Sequence, residues 1–251
     1  MTRALARSIP SSFANALCAE APEHPIDVAL ARTQHAAYCA ALAACGAAVE
    51  MLPGDEACPD SCFIEDTAVV VGGRALITRP GAPSRRAETA AVALALAQWL
   101  DVIEMTEPAT LDGGDCMRVG NTLYVGRSAR TNPLGIAQLA ALGLRVVAVD
   151  MPPGVLHLKC VCSPLGDDRI LLAQQSIPAR VFDAEVVWAP ASETYAANAV
   201  AIGRHVIVAN GYPRTSDALA AAGFSLHAVP TSEVRKADGS LTCQSIVIDR
   251  A

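Results

Sequence analysis

Three stretches of this chain repeat one local plan, and that repeat limits its possible folds more than any other feature. Ala68 to Pro80 around Gly72-Gly73, Met117 to Arg127 around Gly120-Asn121, and Ala199 to Ala209 around Gly203-Arg204 share it. Each has a β-rich run, a glycine-containing break and a second β-rich run. Two such runs across a short glycine turn predict a β-hairpin. A weaker copy spans Cys160 to Ala173 and turns at Gly166-Asp167-Asp168. Each clear hairpin leads into an Arg-bearing loop (79–86, 127–130 and Arg214) and then a helical pattern (88–100, 135–142 and 216–222). A further strand comes next, such as Arg145 to Val149 or Phe224 to Val229. The unit is therefore ββαβ. Gly72, Gly120 and Gly203 lie 48 and 83 residues apart, and the wider gap accommodates the weak copy. Self-similarity at this period signals a closed or stacked repeat. The 251 residues hold five units of roughly 50 residues each. The expected structure is one α/β domain, 1–251, of five ββαβ units around a pseudo-fivefold axis. The alternative is an ordinary α/β sheet whose hairpins coincide by chance.

A chain that is 52% hydrophobic and 18% charged has material for a sizeable core. Its formal charge of −6 lacks the basic footprint of a nucleic-acid binder and suits a cationic small molecule instead. Nine cysteines, several in apolar runs, read as reduced buried thiols and predict a cytoplasmic setting. Arg3 and Arg7 are not followed by the apolar core of a secretory signal, because Ser8, Pro10, Ser11 and Ser12 intervene. The longest apolar stretch, Ala90 to Leu100, falls short of the ~20 residues that span a bilayer. A soluble protein with no membrane partner is expected.

Cys243 stands apart from the other thiols. It lies in the polar run Ser240-Leu241-Thr242-Cys243-Gln244-Ser245, where a loop delivers a side chain to a site. His157 occurs in a predicted strand, Val155 to Lys159, and its near-neutral pKa suits a general acid/base. Asp112-Gly113-Gly114-Asp115 reads as a polar turn, or as two carboxylates on a backbone that packs close to a ligand. A hard metal there would need more oxygen ligands. Pro59-Asp60-Ser61-Cys62-Phe63-Ile64-Glu65-Asp66 places acids around an aromatic. It reads as a solvated loop, or as a clamp that grips a guanidinium by its donors while Phe63 stacks on its face. Arg85 and Arg130, in the loops after the first two hairpins, are surface charges or carboxylate binders. Together the two sets describe a zwitterion with a guanidinium at one end. Cys160-Val161-Cys162 is C-x-C on a predicted strand, and with Cys58 and Cys62 it reads as buried thiols rather than zinc ligands.

These motifs, taken in order, resemble those of dimethylarginine dimethylaminohydrolases. The resemblance is carried by Asp60-x-x-Phe63-x-Glu65-Asp66, Ile77-Thr78-Arg79-Pro80-Gly81 with Ser84-Arg85-Arg86-x-Glu88-Thr89, Leu111 to Asp115, and Ser128 to Asn132. It continues through Leu156 to Lys159, Glu193-x-Tyr195-Ala196-Ala197-Asn198, Gly211 to Thr215, and Cys243. The family belongs to the guanidino-group modifying superfamily, whose fold is a five-bladed α/β propeller of ββαβ units. The resemblance implies metal-free, cofactor-free hydrolysis of Nω-methylated arginines to citrulline and methylamine or dimethylamine. It implies Cys243 as nucleophile, His157 as general acid/base and Asp112 as the group that orients His157. It assigns the guanidinium to Glu65 and Asp66 with Asp60 alongside, and the substrate α-carboxylate to Arg85 and Arg130. Ala237 and Asp238 fall in the loop that contacts the substrate backbone, and Phe13 in the segment of the family's lid. A homodimer is compatible with the family. An arginine deiminase, an amidinotransferase and a non-catalytic propeller that binds arginine-like ligands are the alternatives.

Overall fold

Five three-stranded sheets make up the architecture, each built on the same pattern of one antiparallel and one parallel pairing. The structure, a computed structural model, describes residues 1–248. Residues 249–251 of the predicted domain lie outside the described residues. The three clear hairpins form as expected. β3 (Ala68–Val71) pairs with β4 (Arg74–Ile77), β6 (Cys116–Val119) with β7 (Thr122–Arg127), and β12 (Val200–Ile202) with β13 (His205–Ala209). Gly72, Gly120 and Gly203 turn them with φ of 59°, 52° and 57°, a left-handed conformation that glycine adopts without a Cβ penalty. The weak copy is a hairpin too, β9 (Cys162–Gly166) with β10 (Arg169–Ala173).

Each second strand is followed by a crossover to a parallel third strand. α2 (Thr89–Leu96) leads to β5 (Asp101–Glu104), α3 (Pro133–Ala140) to β8 (Arg145–Asp150), and α4 (Pro213–Ala221) to β14 (Ser225–Val229). In the fourth unit a 3-10 turn at Ala179–Val181 replaces the helix before β11 (Glu185–Ala189). The fifth unit joins the chain ends. β15 (Ser245–Ile248) runs antiparallel to β1 (Arg3–Arg7), which pairs in parallel with β2 (Ala48–Leu52) across α1 (Val28–Ala44).

Packing closes the ring. Leu5, Ile246 and Ile248 share a core with Ala75 and Ile77 of the next sheet, and Val69 and Leu76 share another with Leu123 and Val125. Met117 and Tyr124 pack with Ile170 to Ala173 and on to Val206 and Val208, while Ile207 and Ala209 pack with Ala4. β13 thus buries one face in each of two cores, and its sequence is apolar at almost every position rather than alternating. A fully buried Leu or Ile contributes about 1.5–3 kcal/mol, so each inter-sheet core is a substantial bond between neighbours. The inner strands β3, β6, β9, β12 and β15 line a central channel of about 660 Å³. No helix among the described residues is long and apolar enough to cross a membrane.

Candidate active site

A short 3-10 turn precedes the inner strand of every unit: 64–67, 113–115, 158–160, 191–197 and 242–244. The pseudo-symmetry brings these turns against one another at one end of the channel. Glu65, Asp66, Asp112, His157 and Cys243 all sit in or beside them. Residues up to 178 positions apart in sequence therefore meet because each occupies an equivalent place in its own repeat.

His157 is not in a strand. It is the extended residue that caps the 158–160 turn, with φ −138° and ψ 159°. Its Nε2 lies 3.0 Å from Oδ2 of the fully buried Asp112, whose Oδ1 accepts from the Gly81 N–H at 2.8 Å. Asp115, the second acid of the D-G-G-D turn, faces away from any ligand. It accepts from Ser128 Oγ at 2.5 Å, Thr131 Oγ1 at 2.6 Å and the Leu158 N–H at 3.0 Å. This corrects the reading of two ligand-facing carboxylates: Asp115 fixes the backbone next to His157 and the loop that carries Arg130. Burial works against a charged imidazole, but the charge of Asp66, the Asp112 hydrogen bond and the charges of Asp115 and Asp112 outweigh it. They hold His157 up at about 9.

A group whose pKa is raised on folding stabilises the fold fully below its unfolded value, about 6.5 for histidine. That contribution is lost as pH rises through about 9. Thermal unfolding of the wild type is expected to lose more stability between those pH values than that of His157→Gln. Parallel profiles for the two proteins would contradict this placement.

The glycines of the turn are sterically required. A Cβ on Gly113 would stand 2.0 Å from the Glu65 carbonyl oxygen, and one on Gly114 2.8 Å from His157 Nδ1 and 2.9 Å from Asp66 Oδ1. Gly114→Ala is expected to fold yet lower kcat at least about tenfold by displacing the imidazole. An unaltered kcat would show that the ring tolerates the shift.

Cys243 is half-buried in the 242–244 turn. Burial, then Glu65 and Asp66, push its thiol well above the usual range. Glu65 is less free than the guanidinium role suggests. Lys159 Nζ forms a very short ion pair with its Oε1, and Thr242 Oγ1 donates to its Oε2 at 2.7 Å. Asn198 locks the same region, donating to Lys159 O at 2.9 Å and accepting from the Thr242 N–H at 2.9 Å. Lys159, Asn198 and Thr242 were not read as site residues in the sequence. The only signal was their position within the motifs around His157, Tyr195 and Cys243.

Arg85 is 5% exposed and largely committed to the framework. It donates from Nη1 to Asp66 Oδ2 at 2.5 Å, from Nη2 to Phe63 O at 2.8 Å, and from Nε and Nη2 to Glu88. Among the described residues this leaves one N–H of Nη1 for a ligand. Asp66 also accepts from the Gly114 N–H at 2.9 Å. Burial raises its pKa, but His157 and Arg85 outweigh that and hold it at about 2. Arg130 is the freer cation. Its side chain is 23% exposed and reaches 3.9 Å from Asp112 Oδ2.

Phe63 does not stand open for stacking. It is buried, edge-on to Phe13 at 5.7 Å, and so close to Gly239 that a Cβ there would meet its ring at 2.3 Å. Phe13 and Ala237 lie in the same apolar cluster, with Cys243 packed against it. Over this cluster runs the segment from Ser11 to Asp27. Asp60 accepts from the Leu17 N–H at 3.0 Å, Asp238 (φ 55°) from the Ala19 N–H at 2.5 Å, and Glu233 from the Asp27 N–H at 2.8 Å. Leu17, 42% exposed, is the apolar residue at the edge of this cover, rather than the buried Phe13.

Asp66, Asp112 and His157 bring donor atoms within 4.8 Å of one another, a spacing that a metal could use. Their commitments to Arg85, Gly81 and the Gly114 N–H make this a hydrogen-bonded relay that already contains a cation.

A family profile described as arginine deiminase matches residues 56–189. The chain is 39% identical over 227 residues to the N(G),N(G)-dimethylarginine dimethylaminohydrolase of Pseudomonas aeruginosa, covering 88% of this chain and 89% of that protein. It is 40% identical to the enzyme of the same name from Streptomyces coelicolor, covering 97% and 96%. A solved structure of the Pseudomonas aeruginosa protein, a Cys-to-Ser variant complexed with citrulline, superposes with a TM-score of 0.92 at 36% identity and covers 98% of each chain.

Proposed function

Because the chain belongs to the dimethylarginine dimethylaminohydrolase family, we propose that it hydrolyses Nω-methylated arginines to citrulline and methylamine or dimethylamine. The observation that carries the reading is the convergence of Cys243 and of His157, with its Asp112 partner, on the buried carboxylate of Asp66. Arg130, with the remaining N–H of Arg85, holds the α-carboxylate. Asp66 and Glu65 supply the negative field for the guanidinium, and Asp60 and Asp238 seat the cover. The nine thiols are all free, which supports a reducing, cytoplasmic setting.

A guanidinium is a poor electrophile, so the site must hold it flat and place sulfur over its central carbon. Such positioning is worth up to ~7–11 kcal/mol. In the resting site the thiol is protonated and His157 is the cation. A bound guanidinium beside Cys243 favours the thiolate, and the thiol proton passes to solvent because His157 is already protonated. Sulfur attacks and gives a tetrahedral adduct. His157 donates its proton to the departing amine as the C–N bond breaks, leaving an S-alkylthiouronium on Cys243. His157 then takes a proton from water, whose oxygen attacks the same carbon. Collapse of the second adduct breaks the C–S bond and releases citrulline. Acid quench during turnover, followed by mass analysis of the Cys243 peptide, should show the thiouronium adduct. An unmodified peptide under conditions of steady turnover would argue for direct attack by water.

A further inference from the structure

A second cluster of ligating side chains lies away from the site described above. Cys45, His205 and His227 bring one donor atom each within 4.8 Å of the others. They come from three elements that the fold holds rigidly. β13 and β14 are parallel, with His205 opposite Ser225 and Ile207 opposite His227. The two histidines are therefore diagonal neighbours on one face, within side-chain reach. His205 Nδ1 lies 3.1 Å from His227 Nε2. The same face carries Ile207 and Val229, which pack against Tyr38, Ala41 and Leu42 of α1. α1 ends over the histidine pair in a tight cap. Gly46 turns with φ 95°, the Cys45 N–H donates to Ala41 O at 2.9 Å, and the Ala47 N–H donates to Leu42 O at 3.1 Å. That cap fixes the direction of the Cys45 side chain. Cys45 is 7% exposed, while both histidines are half-buried, so the cluster opens to solvent on the imidazole side.

We propose that Cys45, His205 and His227 form a binding site for a zinc-type divalent metal ion, separate from the hydrolytic site. A tetrahedral zinc ion with Zn–N near 2.0–2.1 Å and Zn–S near 2.3 Å sets its ligand atoms roughly 3.3–3.6 Å apart. The histidine nitrogens, 3.1 Å apart, are close to that spacing, and the sulfur lies within 4.8 Å of both. Thiolate plus two imidazoles is a borderline-soft set that suits Zn²⁺ over Mg²⁺ or Ca²⁺. Three protein ligands leave the fourth position to water. Binding exchanges the Nδ1–Nε2 hydrogen bond for two metal–nitrogen bonds, moves that proton to the outer nitrogen of its own ring, and releases the Cys45 thiol proton. The bound ion joins the C-terminal end of α1 to β13 and β14.

The test uses the full chain carrying Cys243→Ser, which removes the thiol of the hydrolytic site. After chelation, Co²⁺ titration should show one equivalent with a thiolate-to-cobalt charge-transfer band and the d–d bands of a four-coordinate ion, both displaced by Zn²⁺. Adding Cys45→Ser should abolish the charge-transfer band. His205→Ala or His227→Gln should weaken binding beyond the ~10–100-fold that loss of an outer-shell partner costs. Circular dichroism identifies any variant that fails to fold, and the two histidine variants report independently of Cys45. The proposal is overturned if no Co²⁺ binds. It is equally overturned if the band survives Cys45→Ser, which would place the ion at Cys39 and His35 or at Cys18, or if neither histidine substitution weakens binding.

Discussion

Cys243→Ser should lower citrulline formation from asymmetric dimethylarginine by at least about 10⁴-fold, in line with loss of other catalytic nucleophiles. A serine hydroxyl offers similar size but a far weaker nucleophile. Its neighbours Glu65 and Asp66 carry negative charge and oppose its ionisation as they oppose that of the thiol. The cover, Arg130 and the carboxylates are untouched, so a methylated arginine should still bind, and calorimetry would register it. The combination matters more than either result alone. Loss of turnover with retained binding places Cys243 at the chemical step. Loss of both would mean that the thiol organises the pocket, and wild-type turnover would remove it from the reaction.

Asp66→Asn should do nearly as much damage by a different route. Asp66 is the charge that most raises His157 and the main counter-charge on one nitrogen of the buried Arg85. Removing one partner of a buried ion pair costs about 3–5 kcal/mol, because the other charge is left uncompensated. Glu88 still faces Arg85 through Nε and Nη2, which places the loss at the lower end of that range. The activity profile should also move. With Asp66 neutral, burial meets less opposition at His157, its pKa falls from about 9, and the alkaline limb of kcat/KM shifts to lower pH. Loss of the protonated acid at neutral pH should lower kcat about 10²–10⁴-fold. A variant that lost stability but kept the wild-type pH limb would confine Asp66 to the scaffold.

The sequence shows most clearly where structure is local. The hairpin turns needed a left-handed glycine at a fixed place, and the runs on either side were apolar because strands such as β4 and β13 face two cores. The fifth unit carried no such signal. β15 and β1 are about 240 residues apart and pair only because the ring closes, which is a property of the whole chain rather than of any window. The helix missing from the fourth unit lies where Pro178 precedes a three-residue turn. The stretch from Val155 to Lys159 reads as strand in the sequence because so short a mostly apolar run has no distinguishing period, yet 158–160 forms a 3-10 turn.

At the site, residue type was legible and direction was not. Cys243, His157 and the D-G-G-D turn stand out as residue types, while the choice of Asp112 as the acid that orients His157 rests on the resemblance to the family. That Asp115 turns inward, that Arg85 spends most of its donors on Glu88, Asp66 and Phe63, and that Glu65 pairs with Lys159 depend on backbone placement that no spacing encodes. The same holds for Leu17. Its role at the cover rests on a backbone N–H to Asp60, which any residue could provide.

Citrulline release from asymmetric dimethylarginine, monomethylarginine and arginine in parallel, with a chelator present, tests the central claim most directly. The geometry and the family predict turnover of the methylated substrates, little or none of arginine, and no loss on chelation. Turnover of arginine alone, or silence on all three substrates, would contradict it.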